Sequence, residues 1–99
     1  MKRCFYCGRA LDTPALRRPN SRTKDHLVPR RYGHRREPRS LIVDACLECN
    51  RAKADMTLAE FRAVRGVTRF PGEKRHRRLV QRAEEWVNWI HTIGSWRSE

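Results

Sequence analysis

The chain has 99 residues, with 23 Lys and Arg against 11 Asp and Glu, a net charge of +12 and a hydrophobic fraction of 38%. That length suits a single domain, and that apolar fraction is too small to supply a generous core, so a clamp other than apolar burial is expected. The charge attracts polyanions, nucleic acid above all, and the longest apolar stretches, 41–43 and 86–90, are too short or too polar to span a bilayer.

Cys4-Phe5-Tyr6-Cys7-Gly8 reads as a tight knuckle, because two thiolates at this spacing grip one ion where the chain turns and glycine permits a positive φ. Residues 13–23 read as an irregular basic loop, since Pro14, Pro19, Asn20 and Ser21 disfavour regular structure. Asp25-His26-Leu27-Val28 suits a strand that stops before Pro29, and a second, more apolar strand is expected over 41–45. Between them Arg30, Arg31, Arg35, Arg36 and Arg39 surround Gly33 and Pro38 in a hairpin loop lined with cations. Such a loop serves either as a phosphate contact or as an ordinary solvated turn.

A second knuckle, Cys46-Leu47-Glu48-Cys49, is followed by the helix formers Asn50-Arg51-Ala52-Lys53, where a short helix is expected to start. Thr57-Leu58-Ala59-Glu60 matches a capping box and opens a helix from Leu58 to about Val64. Gly66 and Pro71-Gly72 interrupt the pattern. A last helix is expected from about Glu73 to Ile93, with an apolar stripe of Leu79, Ala83, Trp86, Val87, Ile90 and Ile93. Its other face is basic near the beginning, with Lys74, Arg75, Arg77, Arg78 and Arg82. Trp86 reads as core, and Trp89 as either core or a platform for a base. The expected organisation is one domain, with residues 1–64 as a zinc-bound core and 65–99 as a basic amphipathic helix packed on it.

Four cysteines are compatible with two disulfides in a secreted chain, but residues 1–16 lack the apolar run of a leader and each pair is spaced Cys-x-x-Cys. The expectation is therefore a soluble, cytoplasmic protein whose Cys4, Cys7, Cys46 and Cys49 close a tetrahedral zinc site. Four thiolates leave no open position for water, so this zinc is structural. The second knuckle adjoins Asn50 and Lys53, while Asp25 and His26 lie on the first expected strand.

The order Cys-x-x-Cys, then Thr23-Lys24-Asp25-His26-Leu27-Val28-Pro29-Arg30, then Ala45-Cys46-Leu47-Glu48-Cys49-Asn50-Arg51-Ala52-Lys53, resembles the zinc-containing HNH endonucleases of bacteria and their phages. The resemblance covers Cys4 to about Phe61. It implies an α+β fold, a ββα-metal finger with a four-cysteine zinc site and additional C-terminal helices, in a bacterial or phage-infected cell. It also implies metal-dependent hydrolysis of DNA, with His26 as general base and with Asp25 and Asn50 as ligands of a catalytic cation.

The chemistry is reasonable on its own terms. Carboxylate and amide oxygens suit Mg²⁺ or Mn²⁺, and imidazole titrates near neutral pH, which suits a base that takes a proton from water. Lys53, or an arginine of the 30–39 loop, is a cation available to the phosphate. Taken singly, Asp25 reads equally as a turn or capping residue, His26 as a strand histidine and Asn50 as a helix cap. Two positions depart from the family pattern. Ser40-Leu41 stands in the segment where the family usually has an asparagine that braces the loop, and Ala54 stands where it commonly has glycine, a change expected to be mild. The expected DNA contacts are Arg30, Arg31, Arg35, Arg36, Arg39, Lys53, Lys74, Arg75, Arg77 and Arg78. The alternatives are a zinc module that binds nucleic acid without cutting it, and an accessory subunit that docks on a larger phage or mobile-element protein through the C-terminal helix and Trp96.

Overall fold

In the computed structural model, which describes residues 2–32 and 41–97 with side chains as far as 92, one antiparallel hairpin is followed by three helices. Strand β1 spans Arg22–His26 and β2 spans Ile42–Cys46, with Arg22 opposite Cys46, Asp25 opposite Val43 and His26 opposite Ile42. The first strand thus lies earlier than the expected run from Asp25 to Val28. Leu27 donates its N–H to the Leu41 carbonyl at 2.9 Å, and the chain then bends so that Leu27 and Val28 drop into the core instead of continuing the ladder. The polar start of β1 hides its strand character, because only one face of the hairpin is covered.

Side chains alternate along each strand. Thr23 and Asp25 therefore share the inner face with Val43 and Ala45, while Lys24 and His26 share the outer face with Ile42 and Asp44. The first knuckle lies along the other edge of β2, where Phe5 donates its N–H to the Asp44 carbonyl at 2.9 Å.

Helix α1, Leu47–Lys53, begins inside the second knuckle and not at Asn50. Cys46 is its N-cap, and its Sγ accepts the Cys49 N–H at 3.3 Å, so the knuckle forms the first helical turn. Helix α2, Leu58–Arg65, has both bonds of the expected capping box and ends at Gly66, which takes φ 66°. The last helix differs more. Pro71–Glu73 form a 3-10 turn, and α3 spans Arg77–Arg97. Glu73 turns its carboxylate inward, accepts the Phe70 N–H at 2.8 Å and pairs with Arg62 of α2, so it makes a corner instead of opening the helix. Gly72 permits that corner, since a Cβ there would stand 2.6 Å from the Phe5 ring.

The core is centred on Phe5, Tyr6, Phe61 and Phe70, with Tyr6 meeting Phe61 and Phe70 edge-on at 5.2 and 5.0 Å. Val80 and Ala83 of α3 are buried in the same cluster, with Leu79, Trp86, Val87 and Ile90 packed against it, so the apolar stripe is seated as its spacing requires. The side chains of Ile93 and Trp96 lie outside the described residues. Arg62 ties α2 to Glu73 and, at 2.8 Å, to Glu84 of α3. Trp86 donates to the Tyr32 carbonyl at 3.0 Å, while Trp89 stays 53% exposed beside it. No helix among the described residues is long and apolar enough to cross a membrane.

Ala54, after the last residue of α1, has φ 49° and ψ −123°. The substitution expected to be mild therefore falls where glycine is favoured. Holding alanine there costs on the order of 1–3 kcal/mol, more than the roughly 0.5–1 kcal/mol of entropy that glycine adds to the unfolded chain. Ala54→Gly should raise the midpoint of denaturant unfolding; a lowered midpoint would show the conformation to be unstrained.

Candidate metal centre and nucleic-acid surface

The four cysteine sulfurs lie within 4.8 Å of one another, and Cys7 and Cys46 are 3.9 Å apart. A tetrahedral ion with arms of about 2.3 Å would hold its sulfurs about 3.8 Å apart, whereas a disulfide needs about 2.05 Å. The cysteines are free thiols, placed to hold a metal ion such as zinc. N–H donors surround them: the Tyr6 and Cys7 amides reach Cys4 Sγ at 3.3 and 3.4 Å, and the Arg65 guanidinium reaches Cys49 Sγ at 3.5 Å. Burial pushes the Cys46 and Cys49 thiols up. At Cys7, burial is outweighed by the Arg9 backbone and the neighbouring sulfurs, which hold the thiol below its usual range. Four adjacent thiolates in this setting call for a cation between them, which is the fit that a closed tetrahedral ion supplies.

Helix α1 lies along β1 and advances with it. Asn50 Nδ2 donates to Thr23 Oγ1 at 2.8 Å and to the Lys24 carbonyl at 3.3 Å. One turn later Lys53 Nζ donates to the His26 carbonyl at 3.0 Å and stands 3.2 Å from Asp25 Oδ2. Asp25, His26, Asn50 and Lys53 are thus brought together, but in different roles from one another.

Asp25 is 5% exposed, and the same Oδ2 also accepts the Tyr6 hydroxyl. Burial first, and then the charge of Asp25, push the Tyr6 phenol far up, which keeps it a donor. Asp25 as placed does not fit a divalent cation: the positive charge beside it is the Lys53 ammonium, and the carboxylate faces the core. Lys53 is itself only 1% exposed, so it does not offer the accessible charge expected of a phosphate contact. His26, by contrast, is exposed on the outer face of the hairpin. Asn50 lies within the helix and is not its cap.

The remaining expected contacts divide further. Arg30 is exposed, and Arg31 is tied to Glu60 and, at 3.2 Å, to the Asp55 carbonyl. Arg35, Arg36, Arg39 and Ser40 lie outside the described residues. Lys74, Arg75, Arg77 and Arg78 are exposed around the start of α3, whose first turn holds no acid. Cations at that end oppose the helix dipole, so they contribute nothing favourable to the helix itself.

No family model, curated protein or solved structure matches this chain. The site is therefore read from its own geometry. Sequence reasoning missed Tyr6, whose position inside the first knuckle gives no sign that its hydroxyl reaches Asp25, and it missed Lys2, Arg3 and Lys24, scattered charges that only folding gathers on one side.

Two outcomes are expected. A metal-loaded chain should lose its cooperative unfolding transition when zinc is chelated or when acid protonates the thiolates, and Co²⁺ should restore it with a tetrahedral thiolate spectrum. An unchanged thermal midpoint after chelation would contradict this. Lys53→Ala, which strands buried Asp25, should cost about 3–5 kcal/mol in denaturant unfolding. A loss below about 1 kcal/mol would mean that the ion pair is open to water.

Proposed function

We propose that the protein is a DNA endonuclease of the HNH kind, with His26 as general base and with zinc held by Cys4, Cys7, Cys46 and Cys49 as a structural ion. The observation that supports this reading most is the unit made by β1, β2 and α1. A hairpin is followed at once by a helix lying along β1, with exposed His26 at the end of that strand and Asn50 on the adjoining helix. Hydrolysis of a phosphodiester requires a proton to leave the attacking water, and an imidazole open to solvent can accept it. Lys53 holds the backbone of His26 through its carbonyl, which fixes the strand end from which the ring projects. A net charge of +12 attracts a polyanion to the protein.

Mg²⁺ or Mn²⁺, implied by the resemblance, would have to displace Lys53 from Asp25, so metal dependence is a variable of the test. The engagement of Asp25 by Tyr6 and Lys53 favours a second reading, a module of the same fold that binds nucleic acid and does not cut it.

Supercoiled plasmid separates the two. The endonuclease reading expects nicked or linear product with Mg²⁺ or Mn²⁺, and a loss of roughly 10²–10⁴-fold in rate for His26→Ala. Retarded but intact plasmid, with wild type and His26→Ala alike, would select the binder.

A further inference from the structure

A groove of about 680 Å³, open to solvent, is lined by the hairpin, the first knuckle beside β2 and the Pro71 to His76 segment packed on that knuckle. Lys24, Ile42, Val43 and Asp44 contribute from the strands. Lys2 and Arg3 enter from the chain start, and Lys74 and Arg75 from the approach to α3. Among the described residues, five cations from three distant segments thus line one groove with a single acid, Asp44.

Asp44 bridges two of them, standing 3.4 Å from Lys2 and 2.9 Å from Lys24. Those contacts overcome its burial and hold its carboxyl below the usual range. Lys74 and Arg75 have no ion pair among the described residues. The segment that carries them is fixed: Gly72 donates its N–H to the Phe5 carbonyl at 2.9 Å, and the absence of a Cβ there lets the two segments touch. Like charges held side by side repel, and an anion laid among them removes that cost.

We infer that this groove is the track for the phosphodiester backbone of a nucleic acid, leading it past His26. The inference rests on the nucleic-acid reading given above and names its contact surface. Several phosphates, and not one, suit the arrangement, because the five cations come from three separate segments and only Lys2 and Lys24 meet, at Asp44. His26 lies beside the track, since its partner across the hairpin is Ile42, a residue that lines the groove. Of the loop arginines that the structure describes, neither Arg30 nor Arg31 lines the groove, and two of its cations, Lys2 and Arg3, belong to no motif.

Fluorescence anisotropy of a labelled DNA duplex, titrated at several salt concentrations with the intact metal-loaded chain, tests it. The triple variant Lys2→Gln/Lys74→Gln/Arg75→Gln should weaken binding at least about tenfold and flatten the salt dependence by about 0.9 per contact removed. Arg17→Gln/Arg51→Gln/Arg82→Gln, which removes three exposed charges outside the groove, should leave the slope close to that of the wild type. Metal content and thermal midpoint of both variants should match the parent, because the substituted side chains are solvated. Equal losses in the two variants would overturn the groove while leaving nucleic-acid binding intact. No binding by the wild type at low salt would overturn both.

Discussion

The rest of the molecule depends on the meeting of four sulfurs from the two ends of the hairpin region. Cys4 and Cys7 come from the chain start, and Cys46 and Cys49 from the junction of β2 with α1. In a chain this small, apolar burial leaves little margin over conformational entropy. An ion held by these sulfurs binds only when both knuckles are formed, so its binding free energy enters directly as folding free energy. The consequence reaches beyond the cluster. Because Cys46 is both a sulfur ligand candidate and the cap of α1, the helix must start there, and its direction along β1 follows.

From that direction come the positions of Asn50 and Lys53 against β1. The inner face of the hairpin then carries an unusual load for a small core: a carboxylate, an ammonium and a phenol, all buried. Removing such charges from water is costly, and their mutual contacts offset the cost only when every partner is present. The group is best understood as a lock between β1, α1 and the first knuckle. It holds the strand end from which His26 emerges, and it keeps Asp25 away from solvent. The outer face has the opposite character, with an exposed imidazole and cations. Two neighbouring residues, Asp25 and His26, thereby take opposite roles simply because a strand alternates its side chains.

The second organising element is the corner at 70–73. Phe70 sits among Phe5, Tyr6 and Phe61, and Gly72 lies against Phe5, so the segment leading into α3 is drawn over the first knuckle. Arg62 then links the corner to both α2 and α3; its hydrogen bonds, first those to Glu73, outweigh partial burial and keep it charged. This packing joins the C-terminal helix to the cysteine-bearing part of the chain through one continuous core, and it brings Lys74 and Arg75 into one groove with Lys2 and Arg3.

Much of this was legible in the order of residues. The paired Cys-x-x-Cys spacings named the sulfur set, Thr57 and Glu60 named the start of α2, and the 3.6-residue stripe from Leu79 to Ile90 named the buried face of α3. These features are local: a knuckle, a capping box and a helical period each depend on residues a few positions apart. The sequence also placed Asp25, His26, Asn50 and Lys53 in one neighbourhood through their resemblance to a known pattern. It did not reveal that Lys53 would be buried against Asp25, that Tyr6 would join them, that alanine at 54 would take a positive φ, or that Lys2, Lys24 and Lys74 would line one groove. Those outcomes were decided by the register of β1 on β2, the seating of α1 and the close approach at Gly72. They depend on contacts between distant parts of the chain, and no local period or spacing encodes which charge will find which partner once the chain has closed.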